Sequence, residues 1–528
     1  MGKKKYSKKQ VKFVRDLVQS GKSVTQSTIE MCKEFGIEYK ESIGRLFRRK
    51  MQKEGVTNNI NKIEDTDVFK EAQEKTHDKT KKRFLISWAQ SGTPVHKRLL
   101  KNMEAYAQAI DAQILIVAGR YKNPNSLEAS KALKAKEKNL KNTWDSLVLP
   151  YLDANRHSLH KYLMVLSDVK IQPTASTPLN GLNSISGLES CIVGHPRMHL
   201  KSLPVIEGYP HKLLLSTGAV TIPNYTDTAV GKKSEFHHQM GFVIVELDGK
   251  DFHIRQISAD TKGDFYDLVF CVKDGEVSKC EESVPAIVFG DLHLGEEDEQ
   301  AVEASFELAK LLKPNKIILH DLFNGHSISH HEQRDPFTLL QREKDGSWQL
   351  QRELDNLVDW FNKRKEFDFI SVQSNHNEFI DRWLRDTDWR KTNNKQLYLE
   401  FANVVAKGEA PKGIVAYYLK DKVNNLTSLG IDESYNILGF EVGIHSHVGV
   451  HGSRSSPTQL KNLPVKTIVG HSHCPHRIDG SLSVGTLTKL RLSYNKGASA
   501  WLHSNVVIYP NGKASHVNII NGKFTTLL

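Results

Sequence analysis

Five apolar, strand-like runs in the second half of this 528-residue sequence each end in polar residues that can bind a metal. The residues that follow the runs are, in order, Gly290-Asp291-Leu292-His293, His320-Asp321-Leu322-Phe323-Asn324-Gly325, Ser374-Asn375-His376-Asn377-Glu378, His445-Ser446-His447 and Gly470-His471-Ser472-His473. In an open α/β sheet, ligands bind beyond the carboxyl ends of the strands. We therefore expect the five strand ends to converge on one edge of a sheet.

The chemical types of these residues favour a site for divalent ions. Two aspartates, one asparagine and at least four histidines come together, and this mixture of carboxylate, amide and imidazole suits Mn²⁺, with Fe²⁺ and Zn²⁺ as alternatives. A structural zinc site would use cysteine, and Cys474 is the one cysteine nearby. A single Asp-x-His or Gly-His-x-His is a weak signal, but five such elements in order are specific.

The order of these elements resembles the pattern of the calcineurin-like metallophosphoesterase superfamily, which is D-x-H, G-D, G-N-H-D/E, a single H and then G-H-x-H. The resemblance covers residues 283–528 and implies a four-layer β-sandwich with flanking helices and two divalent ions. It implies one ligand set of Asp291, His293, Asp321 and His473, and a second set of Asp321, Asn375, His445 and His471. Asp321 would bridge the two ions, about 3.5–4 Å apart.

The resemblance also implies a chemistry for this site. Two cations polarise the phosphoryl oxygens and lower the pKa of a shared water, so that hydroxide is available at neutral pH. Mn²⁺ is the favoured ion, and Fe²⁺, Zn²⁺ and Mg²⁺ are alternatives. His376, which follows the ligand Asn375, would protonate the leaving oxygen or stabilise the transition state.

The sequence departs from the family pattern at three loop positions. His320 replaces the usual glycine before Asp321, and Ser374 replaces the usual glycine of the third element. Asn377 stands where the family often has an acidic residue. The first two departures put in doubt how closely the backbone approaches the ligands there. Asn377, with Glu378 one place later, puts in doubt the role of an acidic side chain that supports the ligands.

Two features of the motifs indicate which branch of the superfamily the sequence resembles. The segment after Asp321 has no arginine, which argues against the protein Ser/Thr phosphatases, and the closing Gly-His-Ser-His looks like the nuclease and phosphodiesterase branches, including double-strand-break repair nucleases. His447 competes with His445 for the fourth element, and we favour His445 because it directly follows its strand. Four loop residues that flank the ligands could contact substrate phosphates, with a structural or solvated role equally open: Arg454, His326, His330 and His331.

The formal net charge of +12 is concentrated at the N-terminus. Residues 1–56 hold 15 Lys/Arg against 6 Asp/Glu, a net charge of +9, which is typical of a nucleic-acid-binding segment. Apolar residues at helical spacing predict three helices here, ended at Ser20-Gly21, Gly36 and Gly55. A small helical cap or an oligomerisation element is one interpretation. The other is a helix-turn-helix module whose third helix presents basic residues to DNA: Arg45, Arg48, Arg49 and Lys50.

The middle of the chain is predicted to hold a linker and an α/β domain. Residues 57–80 are polar and mixed in charge, and we interpret them as a linker with some helix. Residues 81–282 look like a separate α/β domain that opens with a βαβ unit. This unit, residues 84–117, has about the same spacing as residues 286–319 but lacks their carboxylate and imidazole residues. A metal-free duplicate of the phosphoesterase-like part is one interpretation.

Composition argues for a cytoplasmic protein without a membrane partner. No stretch approaches the ~18–20 uninterrupted apolar residues that cross a bilayer. The five cysteines are scattered, with no C-x-x-C pair, which fits a reducing compartment.

Longer segments resemble the early first-step-transfer proteins of T5-like bacteriophages: Ala89 to His96, Gly119 to Pro124 and Gly452 to Pro457. This resemblance covers nearly the whole chain. It implies a phage early protein that degrades host DNA in the bacterial cytoplasm as a homo-oligomer. The leading hypothesis is thus a metal-dependent DNase. The alternatives are a small-substrate phosphatase or phosphodiesterase, and a DNA-binding regulator that uses the phosphoesterase fold as a scaffold.

Overall fold

The computed structural model describes residues 6–19, 24–54, 67–120, 144–280, 282–332 and 335–527. The chain forms two compact units, one up to Glu71 and a larger one from Ala72 onward. The first is helical and the second is a mixed α/β structure with several sheets. Within the described ranges, no helix is long and apolar enough to cross a bilayer.

The N-terminal unit contains three helices, as the apolar spacing predicted: α1 (Lys8–Gln19), α2 (Val24–Glu34) and α3 (Glu41–Lys53). Their apolar stripes meet in a small core formed by Val11, Val14, Val18, Met31, Cys32, Phe47 and Met51. Leu46, an apolar residue of α3, is exposed and does not join this core. Gly36 follows α2 with a left-handed φ of 61°, as is common after a helix. The other predicted helix ends, at Ser20-Gly21 and Gly55, lie outside the described residues.

The remaining elements begin within the predicted linker and continue to the end of the chain. The helices are α4 (Asp67–Glu74), α5 (Lys97–Ala109), α6 (Ala229–Phe236), α7 (Glu299–Leu312), α8 (Pro336–Asp345), α9 (Leu350–Asn362), α10 (Phe379–Asp386), α11 (Lys395–Ala406), α12 (Ile414–Lys420) and α13 (Pro457–Leu460). The strands before residue 283 are β1 (Arg83–Gln90), β2 (Ala112–Gly119), β3 (Leu152–Asp153), β4 (Arg156–His160), β5 (Leu163–Leu166), β6 (Ser190–Val193), β7 (Leu200–Leu203), β8 (Lys212–Ser216), β9 (Gly241–Asp248), β10 (Asp251–Ser258), β11 (Phe265–Asp267), β12 (Phe270–Lys273) and β13 (Glu276–Lys279). The later strands are β14 (Ala286–Val288), β15 (Ile317–Leu319), β16 (Phe369–Ser371), β17 (Leu426–Ser428), β18 (Asn436–Ile437), β19 (Phe440–Glu441), β20 (Lys466–Val469), β21 (His476–Ile478), β22 (Ser481–Ser483), β23 (Ser504–Ile508) and β24 (Ala514–Asn518).

Two sheets carry the five strand ends that were predicted to meet. β14, β15 and β16 are parallel neighbours in a six-stranded sheet of order β17-β16-β15-β14-β23-β24. β19 and β20 are parallel neighbours in a ten-stranded sheet. All five predicted runs are therefore strands, but the expectation of one sheet edge was wrong. The reason is that the six-stranded and the ten-stranded sheet pack face to face through buried side chains instead of pairing edge to edge.

The packing of the two sheets follows from the alternation of side chains along a strand. Ala286 and Val288 on β14 belong to an apolar core shared with Phe440 on β19 and Ile468 on β20. Ile287, between them in sequence, belongs to the core that includes helices α7 and α9. The six-stranded sheet is thus covered on one face by helices and on the other by the ten-stranded sheet, which suits parallel strands.

The middle region shares a sheet with the region that follows it. β1, α5 and β2 form the predicted βαβ unit, in a five-stranded sheet of order β10-β9-β1-β2-β3. The ten-stranded sheet has the order β18-β19-β20-β22-β21-β7-β8-β6-β5-β4. It crosses the predicted boundary at residue 283, because β7 pairs with β21 in antiparallel register. The middle region is therefore joined to the rest of the large unit by backbone hydrogen bonds.

Apart from β17 and the small β11-β12-β13 sheet, the strands in the two halves of the large unit follow the same order. In each, a hairpin lies antiparallel to the first strand of a βαβ unit: β23–β24 beside β14, and β9–β10 beside β1. In the ten-stranded sheet, the directions of β18-β19-β20-β22-β21 repeat in β4-β5-β6-β8-β7. The similarity between residues 84–117 and 286–319 thus extends to the hairpins beside these βαβ units and to the two ends of the ten-stranded sheet.

Candidate metal centre

The carboxyl ends of β14, β15, β16, β19 and β20 meet at one site between the two sheets. The seven residues predicted as ligands follow these strands in order: Asp291 and His293, Asp321, Asn375, His445, and His471 and His473. The structure brings all seven together, since each has a ligand atom close to at least one other. They form two groups that share Asp321.

The first group is formed by His293, Asp321 and His473, whose ligand atoms all lie within 4.8 Å of one another. Nε2 of His293 is 3.2 Å from Nε2 of His473 and 3.3 Å from Oδ2 of Asp321. Nε2 of His473 is also 3.2 Å from Oδ2 of Asp291. All four side chains are buried. Their donor atoms face one another at a spacing that a single ion can span.

The second group is formed by Asp321, His445 and His471, with the same limit of 4.8 Å. Nε2 of His445 is 3.1 Å from Oδ2 of Asp321 and 3.2 Å from Oδ1 of Asn375. Because Asp321 belongs to both groups, its carboxylate stands where a bridging ligand would stand.

The structure separates the two histidines that competed for the fourth element. His447 lies outside both groups, with its Nε2 3.6 Å from Oε2 of Glu378. His445 is positioned by His320, whose Nδ1 is 3.3 Å from Nδ1 of His445. Such a hydrogen bond orients a ring so that its other nitrogen faces the site. His320, which replaces the usual glycine of the family pattern, therefore orients the ring of His445.

Buried polar atoms without hydrogen-bond partners occur at this site. Oδ1 of Asp291, Oδ1 of Asp321 and Nε2 of His471 are three of them within the described residues. An unpaired buried polar group costs about 1–3 kcal/mol, so a cluster of them is unfavourable unless a cation binds there. Carboxylate and imidazole donors in this proportion fit divalent ions such as Mn²⁺, Fe²⁺ or Zn²⁺.

The backbone adopts an uncommon conformation at the predicted ligands. φ is positive at His293 (44°), Asp321 (44°), His471 (72°) and His473 (56°), and a residue with a side chain pays on the order of 1–3 kcal/mol for a sparsely populated conformation. Gly470 is needed for a different reason, because a Cβ there would collide with Oδ1 of Asp291. The large unit therefore holds strained strand ends in a fixed arrangement.

Burial and neighbouring charges shift the pKa values of these groups. Burial raises the pKa of Asp291, and the carboxylate of Asp321 raises it further. Burial also opposes ionisation of Asp321, but the imidazoles of His445 and His293 outweigh this effect and lower its pKa. Burial lowers the pKa of His473. The imidazole is therefore held in its neutral form, which is the form that binds metals.

His376 lies beside the ligands without joining either group. Its ring is 4.3 Å from the ring of His293 and stacks on Phe379 at 4.4 Å. Its Nδ1 is 2.8 Å from the carbonyl oxygen of Asn324. A carbonyl oxygen only accepts, so Nδ1 carries the proton and Nε2 remains for a substrate. Burial, together with the neighbouring imidazole of His293, lowers the pKa of His376 to about 4.

Two of the predicted substrate contacts line a cavity at the metal centre. His330 and His331 stack with their ring centres 3.8 Å apart. They share the cavity with the predicted ligand Asn375 and with Arg382 and Arg385. Glu378 and Asp386 line the same cavity, and Asp386 pairs with Arg382 at 3.2 Å, so the positive charge of the two arginines is balanced there.

The other two predicted contacts lie elsewhere around the site. Arg454 is exposed, and its charge adds to burial in lowering the pKa of His471 to about 3. His326 lines a different cavity, and its Nδ1 is 3.7 Å from Oε2 of Glu332. The carboxylate beside His326 makes it a poorer candidate for a phosphate contact than Arg454.

The basic residues predicted to bind DNA lie on α3 in the N-terminal unit. Arg45 and Arg49 are exposed, and Lys50 is half-buried. Arg48 is exposed but forms an ion pair with Glu41 on the same helix. Three of the four positive charges are therefore without an ion pair recorded in the described residues.

Two aromatic residues beside the ligands were not predicted from the sequence. The ring of Trp501 is 4.1 Å from that of His473, and Tyr494 is 5.9 Å from Trp501. They lie on a loop without secondary structure, so no periodicity marks them. The available signal was composition, since residues 489–501 contain Lys489, Arg491 and Lys496 and no acidic residue.

The chain is a mixed α/β protein with several sheets, and its buried histidines and aspartates around Asp321 could hold metal ions. The sequence is 30% identical over 470 residues to Protein A1 of Escherichia phage T5, a match that covers 84% of this chain and 83% of that protein. The chain belongs to the family of this phage protein, which confirms the predicted likeness to a protein of T5-like phages. The crystal structure of Pseudomonas putida nuclease MPE aligns with 49% of this chain and 98% of its own, at 13% identity and a TM-score of 0.21. No family model matches the sequence.

Proposed function

We propose that the protein is a metal-dependent DNase that hydrolyses phosphodiester bonds with two divalent ions. The observation that carries this proposal is the position of Asp321, which belongs at the same time to two groups of side chains that could hold a metal ion. A bridging carboxylate between two such groups is the arrangement used by two-metal phosphoesterases.

The residues of the two groups would divide the ions between them. Asp291, His293, Asp321 and His473 would hold one ion, and Asp321, Asn375, His445 and His471 would hold the other, with Mn²⁺ favoured and Fe²⁺, Zn²⁺ or Mg²⁺ as alternatives. Bound ions polarise phosphoryl oxygens and lower the pKa of water at the centre. The surrounding fold holds the backbone of four of these residues in strained conformations, so their side chains are already in place before a substrate arrives.

His376 would protonate the leaving oxygen or stabilise the transition state. To act as the acid, its Nε2 must first take up a proton from water, because the Nδ1 proton is donated to Asn324 and the pKa of the ring is lowered to about 4. The hydrogen bond from its Nδ1 to Asn324 fixes the ring and directs Nε2 to the reaction. Contact with Phe379 restricts its rotation further. General acid catalysis by a positioned histidine contributes about 10²–10⁴-fold in rate.

DNA is the proposed substrate because of the basic N-terminal unit and the family relationship. The exposed arginines of α3 would add affinity that does not depend on sequence but falls as the salt concentration rises. Arg454, His330 and His331 would contact phosphates near the centre. Since the relative is a phage protein, the proposed setting is the cytoplasm of an infected bacterium, where the protein would act early, as a homo-oligomer, on host DNA.

A nuclease assay across divalent metals tests the proposal. With Mn²⁺, the full-length protein should degrade DNA, and Asp321→Ala should abolish cleavage and lower the metal content measured by elemental analysis, because the shared ligand is lost. His376→Ala should retain the metals and slow cleavage by about 10²–10⁴-fold.

Two results would favour the alternative functions. Rapid turnover of a small aryl phosphate with no action on DNA would indicate a small-substrate phosphatase or phosphodiesterase. DNA binding that persists in EDTA, without cleavage in any metal, would indicate a regulator. Wild-type protein that leaves duplex and single-stranded DNA intact in every metal rules out the DNase.

A further inference from the structure

The middle region, residues 81–282, forms the half of the large unit that lacks the predicted ligands, and we call it the metal-free half. Beyond β14 and β15, the N–H of His293 donates to the carbonyl oxygen of Asp321 at 2.7 Å. At the ends of β1 and β2, the N–H of Ser91 donates to the carbonyl oxygen of Gly119 at 3.0 Å. Neither Ser91 nor Gly119 supplies a carboxylate or an imidazole.

The last motif has a counterpart that has also exchanged its chemistry. β6 is followed by Gly-His-Pro-Arg, in the place where β20 is followed by Gly-His-Ser-His. His195 is buried, and its Nδ1 accepts from the N–H of Arg197 at 3.1 Å, while its Nε2 lies 3.1 Å from the carbonyl oxygen of Gln172. Arg197 forms an ion pair of 3.4 Å with Asp479, which lies between β21 and β22. These side chains bind other parts of the protein instead of an ion.

A loop beside the metal centre, residues 489–501, is hydrogen-bonded to the metal-free half. Val205, just after β7, forms two backbone hydrogen bonds with Ser499, at 2.9 and 3.0 Å. The guanidinium of Arg491 donates to the carbonyl oxygen of Val205 at 2.9 Å and also to that of Gly497. The loop is therefore tied at both ends to the chain that follows β7.

The 489–501 loop is aromatic and basic. Trp501 packs against the predicted ligand His473, and Tyr494 extends from Trp501 into solvent with 62% of its surface exposed. Lys489 and Lys496 are exposed on the same loop. Exposed aromatic rings together with positive charges are the combination by which proteins bind a single nucleic-acid strand, because bases stack on the rings and the charges contact phosphates.

The phenol of Tyr494 is uncharged at neutral pH, as is usual for tyrosine, and its surroundings raise its pKa further. Partial burial raises the pKa of its phenol, and the carboxylates of Asp321 and Glu296 raise it further. A neutral ring beside the centre can accept a base without adding a negative charge that would repel the phosphate.

Resting on the proposed DNase activity, we propose that the 489–501 loop binds the DNA strand next to the cleaved phosphate, and that the metal-free half holds this loop in position. Tyr494 stacks on a base, while Lys489 and Lys496 contact neighbouring phosphates. A base inside a duplex already has both faces stacked, so the strand at the centre is unpaired. The substrate class is therefore single-stranded DNA or an unpaired segment of duplex DNA.

Substitution of Tyr494 separates strand binding from chemistry. In the full-length Mn²⁺ enzyme, Tyr494→Ala should raise KM for a single-stranded oligonucleotide about tenfold, the size expected for losing one stacked base. Turnover of bis(4-nitrophenyl) phosphate, which has no base, should stay at the wild-type rate. Tyr494→Phe keeps the ring and should behave as wild type on both substrates. An unchanged KM for the oligonucleotide in Tyr494→Ala, or an equal loss on both substrates, overturns the role of the loop.

Substitution of Val205 tests the role of the metal-free half. Val205→Pro removes the N–H that donates to Ser499 and should raise KM for the oligonucleotide without changing small-diester turnover. Val205→Ala keeps the N–H and is the matched control. Wild-type KM in Val205→Pro, at an unchanged melting temperature, overturns the bracing role. Failure of the DNase proposal itself looks different, because the wild type would then cleave no DNA at all.

Discussion

Asp321 is the residue on which the proposed chemistry depends, and its neighbours explain why it stays ionised in a buried site. The imidazoles of His445 and His293 lie 3.1 and 3.3 Å from its Oδ2 and stabilise the charged carboxylate against the cost of burial. His445 is itself held by His320. At the scale of single residues, the site is thus a chain of side chains that position one another.

A pair of substitutions in one loop tests the assignment of His445. His445→Ala should remove a ligand of the second ion and lower cleavage by at least about 10²-fold, a loss comparable to that caused by disturbing metal-site partners. His447→Ala changes the same residue type two positions later, outside both groups, and should retain most of the activity. Metal content and nuclease rate, measured on both variants, check the assignment. Greater loss in His447→Ala would contradict it.

At the scale of elements, a buried charge network joins three strands to the C-terminal segment. Arg255 on β10 binds Glu246 on β9 at 2.6 Å and Asp267 on β11 at 2.7 Å. Glu246 also accepts hydrogen bonds from the hydroxyls of Thr525 and Thr526. Burial opposes ionisation of Glu246, but Arg255 and these hydrogen bonds outweigh it and lower the pKa from 4.5 to about 2. The end of the chain is thereby fixed to the middle region.

This network predicts a pH-dependent part of the stability. Because the folded pKa of Glu246 lies below its ordinary value of 4.5, the stabilisation is complete above that pH and is lost as the pH falls toward 2. At neutral pH, Glu246→Gln should lower the free energy of unfolding by about 3 kcal/mol. Its difference from wild type should shrink in urea unfolding below about pH 4.5.

The control for this prediction is a carboxylate in an exposed ion pair. Glu433→Gln breaks the pair with Lys412 at the surface, where such pairs contribute less than about 1 kcal/mol. Equal losses of unfolding free energy in Glu433→Gln and Glu246→Gln would show that the buried network stabilises the protein no more than a surface ion pair does.

At the scale of the whole molecule, the chain combines a small basic helical unit with a large unit of two similar halves. One half carries the predicted metal ligands, and the other repeats its strand order without them. The two halves share the ten-stranded sheet through β7 and β21. We infer that the N-terminal unit provides DNA affinity, that the metal-free half positions the strand, and that the half with the predicted ligands hydrolyses it.

The N-terminal unit should determine the salt dependence of DNA binding. Replacing Arg45, Arg49 and Lys50 by alanine in the Asp321→Ala background should weaken DNA binding, measured by fluorescence anisotropy. Each lost phosphate contact should reduce the slope of log affinity against log salt by about 0.9. The matched control replaces Lys8, Lys9 and Lys12, three exposed lysines of α1, and removes the same charge. Equal effects of the two triple variants would mean that net charge, and not the face of α3, binds DNA.

The sequence by itself determined which residues could serve as metal ligands, their order along the chain and the strands that precede them. It could do so because metal chemistry restricts the residues that can serve, and because an apolar run followed by a polar end is a local pattern. The three N-terminal helices and the βαβ unit of the middle region were predicted for the same reason, since helical and strand periodicities are read over a few residues.

Tertiary structure alone decided how these parts meet. That the strand ends belong to two stacked sheets follows from the packing of buried faces, which no local pattern encodes. The bond between His445 and His320 joins residues 125 positions apart, and that between Arg491 and Val205 joins residues 286 positions apart. Contacts over such separations depend on the whole chain having folded, so the orientation of His445 and the position of the 489–501 loop are properties of the tertiary structure.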